Sequence, residues 1–147
     1  MSLFLLFSKC LNFIILVIPV KCARGCFCHY NPHHRVNVYN CSHQNYTQLP
    51  QSVQPGTDYL IVTDNNIAML NKTYGYFNKI SYIDASLNNI VYISDDVLKN
   101  INRSKTMKQL NIKYNKLTSL QFSFQSMRLK KIWLKGNPFT CDCNMLW

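Results

Sequence analysis

Leu60-Ile61-Val62-Thr63-Asp64-Asn65-Asn66-Ile67 is the stretch that decides the fold. As a frame it reads L-x-L-x-x-N-x-L, with apolar residues at Leu60, Val62 and Ile67 and an asparagine at Asn65. The frame returns as Ile83-x-Ala85-x-x-Asn88-x-Ile90, Leu110-x-Ile112-x-x-Asn115-x-Leu117 and Ile132-x-Leu134-x-x-Asn137-x-Phe139. The asparagines are spaced 23, 27 and 22 residues apart. Alternation puts the two apolar residues of L-x-L on one face of a short strand. The chain must then turn, and an asparagine amide both donates and accepts. Four stacked asparagines, Asn65, Asn88, Asn115 and Asn137, can therefore satisfy turn groups that would otherwise be buried unpaired. The expectation is a core of Leu60, Val62, Ile83, Ala85, Leu110, Ile112, Ile132 and Leu134, with the thinnest packing at Ala85. The stretch Val91 to Thr106 is expected to be the least regular, because that repeat is the longest.

This frame resembles the leucine-rich repeat, whose period is about 20 to 29 residues. The resemblance implies an α/β-type solenoid, with short parallel strands on the concave face and irregular or short helical convex returns. An open stack exposes sheet and core at each end and needs caps. Six cysteines sit at the two ends of the repeats: Cys22, Cys26, Cys28 and Cys41, then Cys141 and Cys143. The seventh, Cys10, falls in the leader described below. Val36-x-Val38, just before Cys41, alternates like an edge strand. Four cysteines allow three pairings, and joining Cys26 to Cys28 across one residue would be strained, which leaves two. A zinc site built from these cysteines and His29, His33, His34 and His43 is the competing reading; zinc prefers wider cysteine spacing and a reducing compartment.

Residues 1–20 read as a signal peptide: one charge, Lys9, then an apolar run from Leu11 to Val20. The run is shorter than the roughly 20 residues of a membrane span. A single span from Ser2 to Val20 would bury Lys9, at a cost of about 2.5 to 3.5 kcal/mol. The sequons at Asn40, Asn45, Asn71 and Asn102 point the same way, to a secreted or extracellular glycoprotein. The remaining organisation is a cysteine-rich amino-terminal cap over 21–50, four repeats over 51–137, and the start of a carboxy-terminal cap over 138–147.

On each strand the outward positions form the concave face. They run from Tyr59, Ile61 and Thr63 through Tyr82, Asp84 and Ser86, then Gln109, Asn111 and Lys113, to Lys131, Trp133 and Lys135. The candidate partner-binding residues are Tyr59, Tyr82, Lys113, Lys131, Trp133 and Lys135, with an exposed Trp133 the sharpest feature. The net charge is +10; all six acids are Asp, and ten of sixteen cations lie between Lys99 and Lys135, where there is no acid. Such a half could attract acidic glycans or simply be a solvated face. Lys99, Arg103, Lys105 and Lys108 belong to the loop and convex return, which argues against a single patch. Catalytic motifs are missing, and no enzyme, cofactor, metal or nucleic-acid role is expected. The only adjacent thiol and imidazole are Cys28 and His29.

Cys26-Phe-Cys28-His-Tyr, Asn40-Cys41-Ser42, Asn45-Tyr46-Thr47-x-Leu49-Pro50 and Asn137-Pro-Phe-Thr-Cys141-Asp-Cys143-Asn-Met-Leu-Trp147 together resemble the membrane-proximal block of Toll-type receptor ectodomains. Guidance and adhesion receptors share the caps. The resemblance implies the pairing Cys22–Cys28 with Cys26–Cys41. It implies two further cap cysteines as partners for Cys141 and Cys143, so both thiols are expected to be unpaired here, beside an apolar end of Phe139, Met145, Leu146 and Trp147. It also implies a protein ligand or co-receptor, in innate immunity or development, with membrane attachment and signalling only through a downstream segment. The alternative is a secreted matrix or adhesion protein that binds acidic glycans.

Overall fold

The computed structural model describes residues 22–72, 74–119 and 127–140. The leader, Cys141, Cys143, Met145, Leu146 and Trp147 lie outside them. The strands of the main sheet are β1 (Phe27–Asn31), β2 (Val36–Asn40), β3 (Tyr59–Ile61), β5 (Tyr82–Asp84), β7 (Gln109–Asn111) and β8 (Lys131–Trp133). On the return side lie β4 (Met69–Leu70), a 3-10 turn at Gly75–Asn78, β6 (Tyr92–Ile93) and one helix, α1 (Asp95–Arg103). The sheet order is β1-β2-β3-β5-β7-β8, and every pairing from β2 onward is parallel. Only β1 and β2 are antiparallel.

Register carries the repeat into the core: Tyr39, Leu60, Ile83, Leu110 and Ile132 lie side by side. Leu60, Val62, Ile83, Ala85, Leu110 and Ile112 are fully buried, whereas Ile132 and Leu134 are only partly so. The difference has a simple cause. Among the described residues the last repeat has a neighbour on one side only.

Two expectations need correction. β2 is no edge strand: it is bonded to β1 on one side and β3 on the other, and β1 forms the edge. The segment Phe27-Cys-His-Tyr-Asn lacks an apolar and polar alternation, so its strand character comes from pairing rather than pattern. The longest repeat is also not the least regular, since it holds the one α-helix among the described residues. Ser94 caps α1 by accepting from the Val97 amide, and Asp95 and Asp96 favour its amino-terminal dipole. Val97, Leu98 and Ile101 then bury one face. The extra residues supply room for two helical turns.

Candidate recognition surface

The concave face is positioned by what lies beneath it. Each ladder asparagine joins two repeats. Asn88 donates to the carbonyls of Val62 at 3.0 Å and Ala85 at 3.2 Å, and accepts from the Ile67 amide at 3.0 Å. Asn115 does the same with Ala85, Ile112 and Ile90, and Asn137 with Ile112, Leu134 and Leu117. Asn65 reaches back into the cap, donating to Cys41 and accepting from the amides of Gln44 and Tyr46. Asn65, Asn88 and Asn115 are buried, and removing any of them would orphan at least one backbone amide and take one donor from carbonyls that successive asparagines share.

The cap is itself a degenerate repeat. Tyr39-x-Cys41-x-x-Gln44-x-Tyr46 matches the frame in register, with Tyr39 opposite Leu60 and the Cys41 amide bonded to Ile61. Cys41, fully buried, stands where Val62 stands in the next turn of the solenoid. Sequence reading missed this because a cysteine and a glutamine hold the diagnostic positions. Disulfides join Cys22 to Cys28 and Cys26 to Cys41, with Cα separations of 6.0 and 4.3 Å. All four thiols are thereby removed from reach of a metal.

On the outward face Val38, Tyr59, Tyr82, Gln109 and Lys131 form one column, and Asn40, Ile61, Asp84, Asn111 and Trp133 the next. Aromatic rings cross these columns. Tyr59 meets Tyr82 edge-on with centroids 5.1 Å apart, and Tyr82 meets Trp133 edge-on at 6.0 Å. Lys131 Nζ lies 4.5 Å from the Trp133 ring centroid, within cation–π range. Trp133 is thus half-buried by its neighbours rather than fully exposed. At the β1 edge Phe27 stacks on His29 at 5.3 Å, with Val38 and Asn40 of β2 between this pair and β3, a feature with no motif to announce it.

Asp84 fixes the middle of the face. Its carboxylate accepts from the Tyr82 hydroxyl at 2.8 Å, from Asn111 Nδ2 at 3.0 Å, and from the Ser86 amide and hydroxyl. Burial, and then the bonded carboxylate, push the Tyr82 hydroxyl well above the usual tyrosine range. With its only carboxylate so occupied, the face carries Lys113, Lys131 and Lys135 toward solvent. Lys99 and Arg103 sit on α1, on the return side, so the basic half is split between two surfaces.

The four sequon asparagines differ. Asn45 and Asn71 are exposed. Asn40 is half-buried on β2 and accepts from the Ser42 amide and hydroxyl, and Asn102 is half-buried on α1 and accepts from the Arg128 amide. Among the described residues no helix is long and apolar enough to cross a membrane.

Stacked parallel strands, a buried asparagine ladder and a disulfide-held first turn define a leucine-rich-repeat solenoid. No family model matches the chain. Its relatives include Protein toll of Drosophila melanogaster, 28% identical over 134 residues, covering 84% of this chain and 12% of that protein. The high affinity nerve growth factor receptor of Gallus gallus is 35% identical over 69 residues, covering 46% and 8%. Leucine-rich repeat-containing protein 3 of Danio rerio is 24% identical over 143 residues, covering 96% and 52%. The chain therefore spans about half or less of the curated relatives it matches. Among solved structures, a chain of the Drosophila melanogaster SNF/U2A' complex has the same fold, with a TM-score of 0.60 at 19% identity, covering 81% of this chain and 68% of that one.

Proposed function

We propose that this chain is an extracellular protein-recognition module that binds a protein ligand or co-receptor on its concave face, as part of a Toll-type ectodomain, and catalyses nothing. The observation that carries the reading is the row Tyr59, Tyr82 and Trp133, with Lys131 over the indole. Aromatic side chains on a rigid sheet bind at low entropic cost and dominate interface energetics. The leader, the sequons and a relative named as a receptor support secretion of a disulfide-bonded glycoprotein. Cell-surface or extracellular proteins retained by the secreted chain should be lost with Tyr82→Ala and Trp133→Ala and kept with Lys99→Ala and Arg103→Ala. Retention that survives the concave changes contradicts the reading.

A second reading, capture of acidic glycans, is favoured by the approach of Lys113, Lys131 and Lys135 to one side of the face. Heparin chromatography separates the two. Elution below physiological salt counts against the glycan reading, and later elution that depends on these three lysines supports it.

A further inference from the structure

Each parallel strand of the main sheet is followed by a turn residue with positive φ: His43 at 57°, Asp64 at 53°, Leu87 at 53°, Tyr114 at 52° and Gly136 at 80°. Glycine takes this left-handed backbone freely, and Asp, Asn and His tolerate it; leucine and tyrosine are strained there. Leu87 and Tyr114 are also exposed, by 52% and 49%. A leucine that neither fits its backbone nor buries its side chain does little for folding. Strain of that kind, when observed, points toward function.

The surroundings give it a direction. Seven large apolar residues are exposed among the described residues, and five lie on the flank that runs from these turns to the return side: Met69, Leu87, Val91, Tyr92 and Tyr114. Pairing of β4 with β6 sets Met69 beside Tyr92, and the Val91 amide bonds to Ala68. Lys116 stands in the same stack, its amide on the Ile90 carbonyl, and Lys113, at the rim where the concave face meets the flank, precedes Tyr114 at the turn. Asp95 and Asp96 follow Tyr92 at the start of α1, with Asp96 3.9 Å from Lys99, but around Tyr114 the charge is basic: no acid occurs between Asp96 and Asp142, and Asp64 is already held by His43 Nδ1 at 2.6 Å.

We propose that this flank, separate from the concave face, docks a protein partner that presents apolar side chains flanked by carboxylates. The lysines beside Tyr114 require negative charge opposite, and a second copy would bring its own +10. A lipid surface fits less well. The apolar side chains stand on hydrogen-bonded backbone and alternate with Asn66 and Asn89, amides that a protein can pair and hydrocarbon cannot.

The test uses the full chain and two synthetic peptides, one alternating Glu with Leu and Tyr, the other carrying Lys in place of each Glu. Vesicles of phosphatidylserine and sedimentation of the chain alone complete the set. The acidic peptide should bind, and Leu87→Asn should weaken it by about fivefold or more while Trp133→Ala leaves it unchanged. Because asparagine suits the left-handed turn, Leu87→Asn should also raise Tm by about 2 to 5 °C. Tyr114→Asn provides a second loss of binding, although its ring packs where a side chain at Gly136 would go. Equal binding of the basic peptide, unchanged affinity in Leu87→Asn, preference for vesicles, self-association through this flank, or a fall in Tm with Leu87→Asn would each overturn the proposal.

Discussion

The two ends of the sheet solve the same problem differently. At the amino-terminal end β1 folds back antiparallel on β2, and two disulfides close over a first turn whose Tyr39 and Cys41 are as buried as the middle of the stack. At the other end of the described residues β8 is paired on one side, and Ile132 and Leu134 are half-buried. A solenoid repeat contacts only its neighbours, so stability should vary along the stack instead of being shared evenly. The cap supplies covalent closure where no earlier repeat stands among the described residues. Among the described residues the last rung has a neighbour on one side only.

The largest effect expected is loss of the disulfide that enters the core. Cys26 and Cys41 close a loop with a sequence separation of 15. Chain entropy for such a loop is worth about 3 kcal/mol. Cys26→Ser should therefore lower stability by about 3 kcal/mol, and Cys41→Ser by more, because its hydroxyl would enter a fully buried site. Denaturant unfolding measures both. Equal, small losses would show that β1 and the cap are not coupled to the repeats.

The ladder gives a sharper comparison within the stack. Asn88→Ala orphans the Ile67 amide in a buried site and leaves the Val62 and Ala85 carbonyls with one donor each, from Asn65 and Asn115, and should cost about 2 to 3 kcal/mol. Asn137→Ala removes the same set of bonds where the residue is half-buried and water can replace them, so about 1 kcal/mol is expected. If the two cost the same, the difference between interior and end is not real.

The smallest effect is a gain. Among the described residues the Tyr74 and Tyr76 hydroxyls are buried with no hydrogen-bond partner, and burial raises both above the ordinary tyrosine value of 10.0. Tyr76→Phe should stabilise by about 1 kcal/mol in the same unfolding experiment. The sign with pH follows. A tyrosine whose folded pKa is raised stays protonated in the fold while the unfolded chain ionises. Its stabilisation is complete below the unfolded value of 10.0 and is lost as pH climbs toward the folded one. Loss should approach about 1.4 kcal/mol per pH unit for Tyr76 above that point, less for the half-exposed Tyr82, and Tyr76→Phe should flatten the slope.

Much of the fold was legible because the repeat writes each constraint as a residue type. Leu60, Val62 and Asn65 each answer one demand, burial or turn bonding, and the period makes chance agreement implausible. The concave positions followed from alternation alone. What could not be read were features created between segments. β1 is a strand because Val36–Asn40 pairs with it, and the edge-on contact of Tyr82 with Trp133 spans an intervening strand. The saturation of Asp84 depends on Asn111 from the next repeat. The left-handed turns were hidden for another reason: Leu87 and Tyr114 violate the residue preference that would have revealed them. The helix at Asp95 did have a signal, Ser94 followed by two aspartates and then Val97, Leu98 and Ile101, which repeat length alone obscured.

Amide hydrogen exchange along the native chain tests the stack most directly, because each rung's amide reports on its own repeat. Protection should be highest at Ile67 and Ile90, whose amides are buried donors to Asn88 and Asn115, and remain high at Tyr46, which donates to Asn65. It should fall by about tenfold or more at Leu117, whose acceptor Asn137 is half-buried. Equal protection at all four amides, or a more protected Leu117, would contradict a stack whose order is built from the disulfide-held end through the ladder.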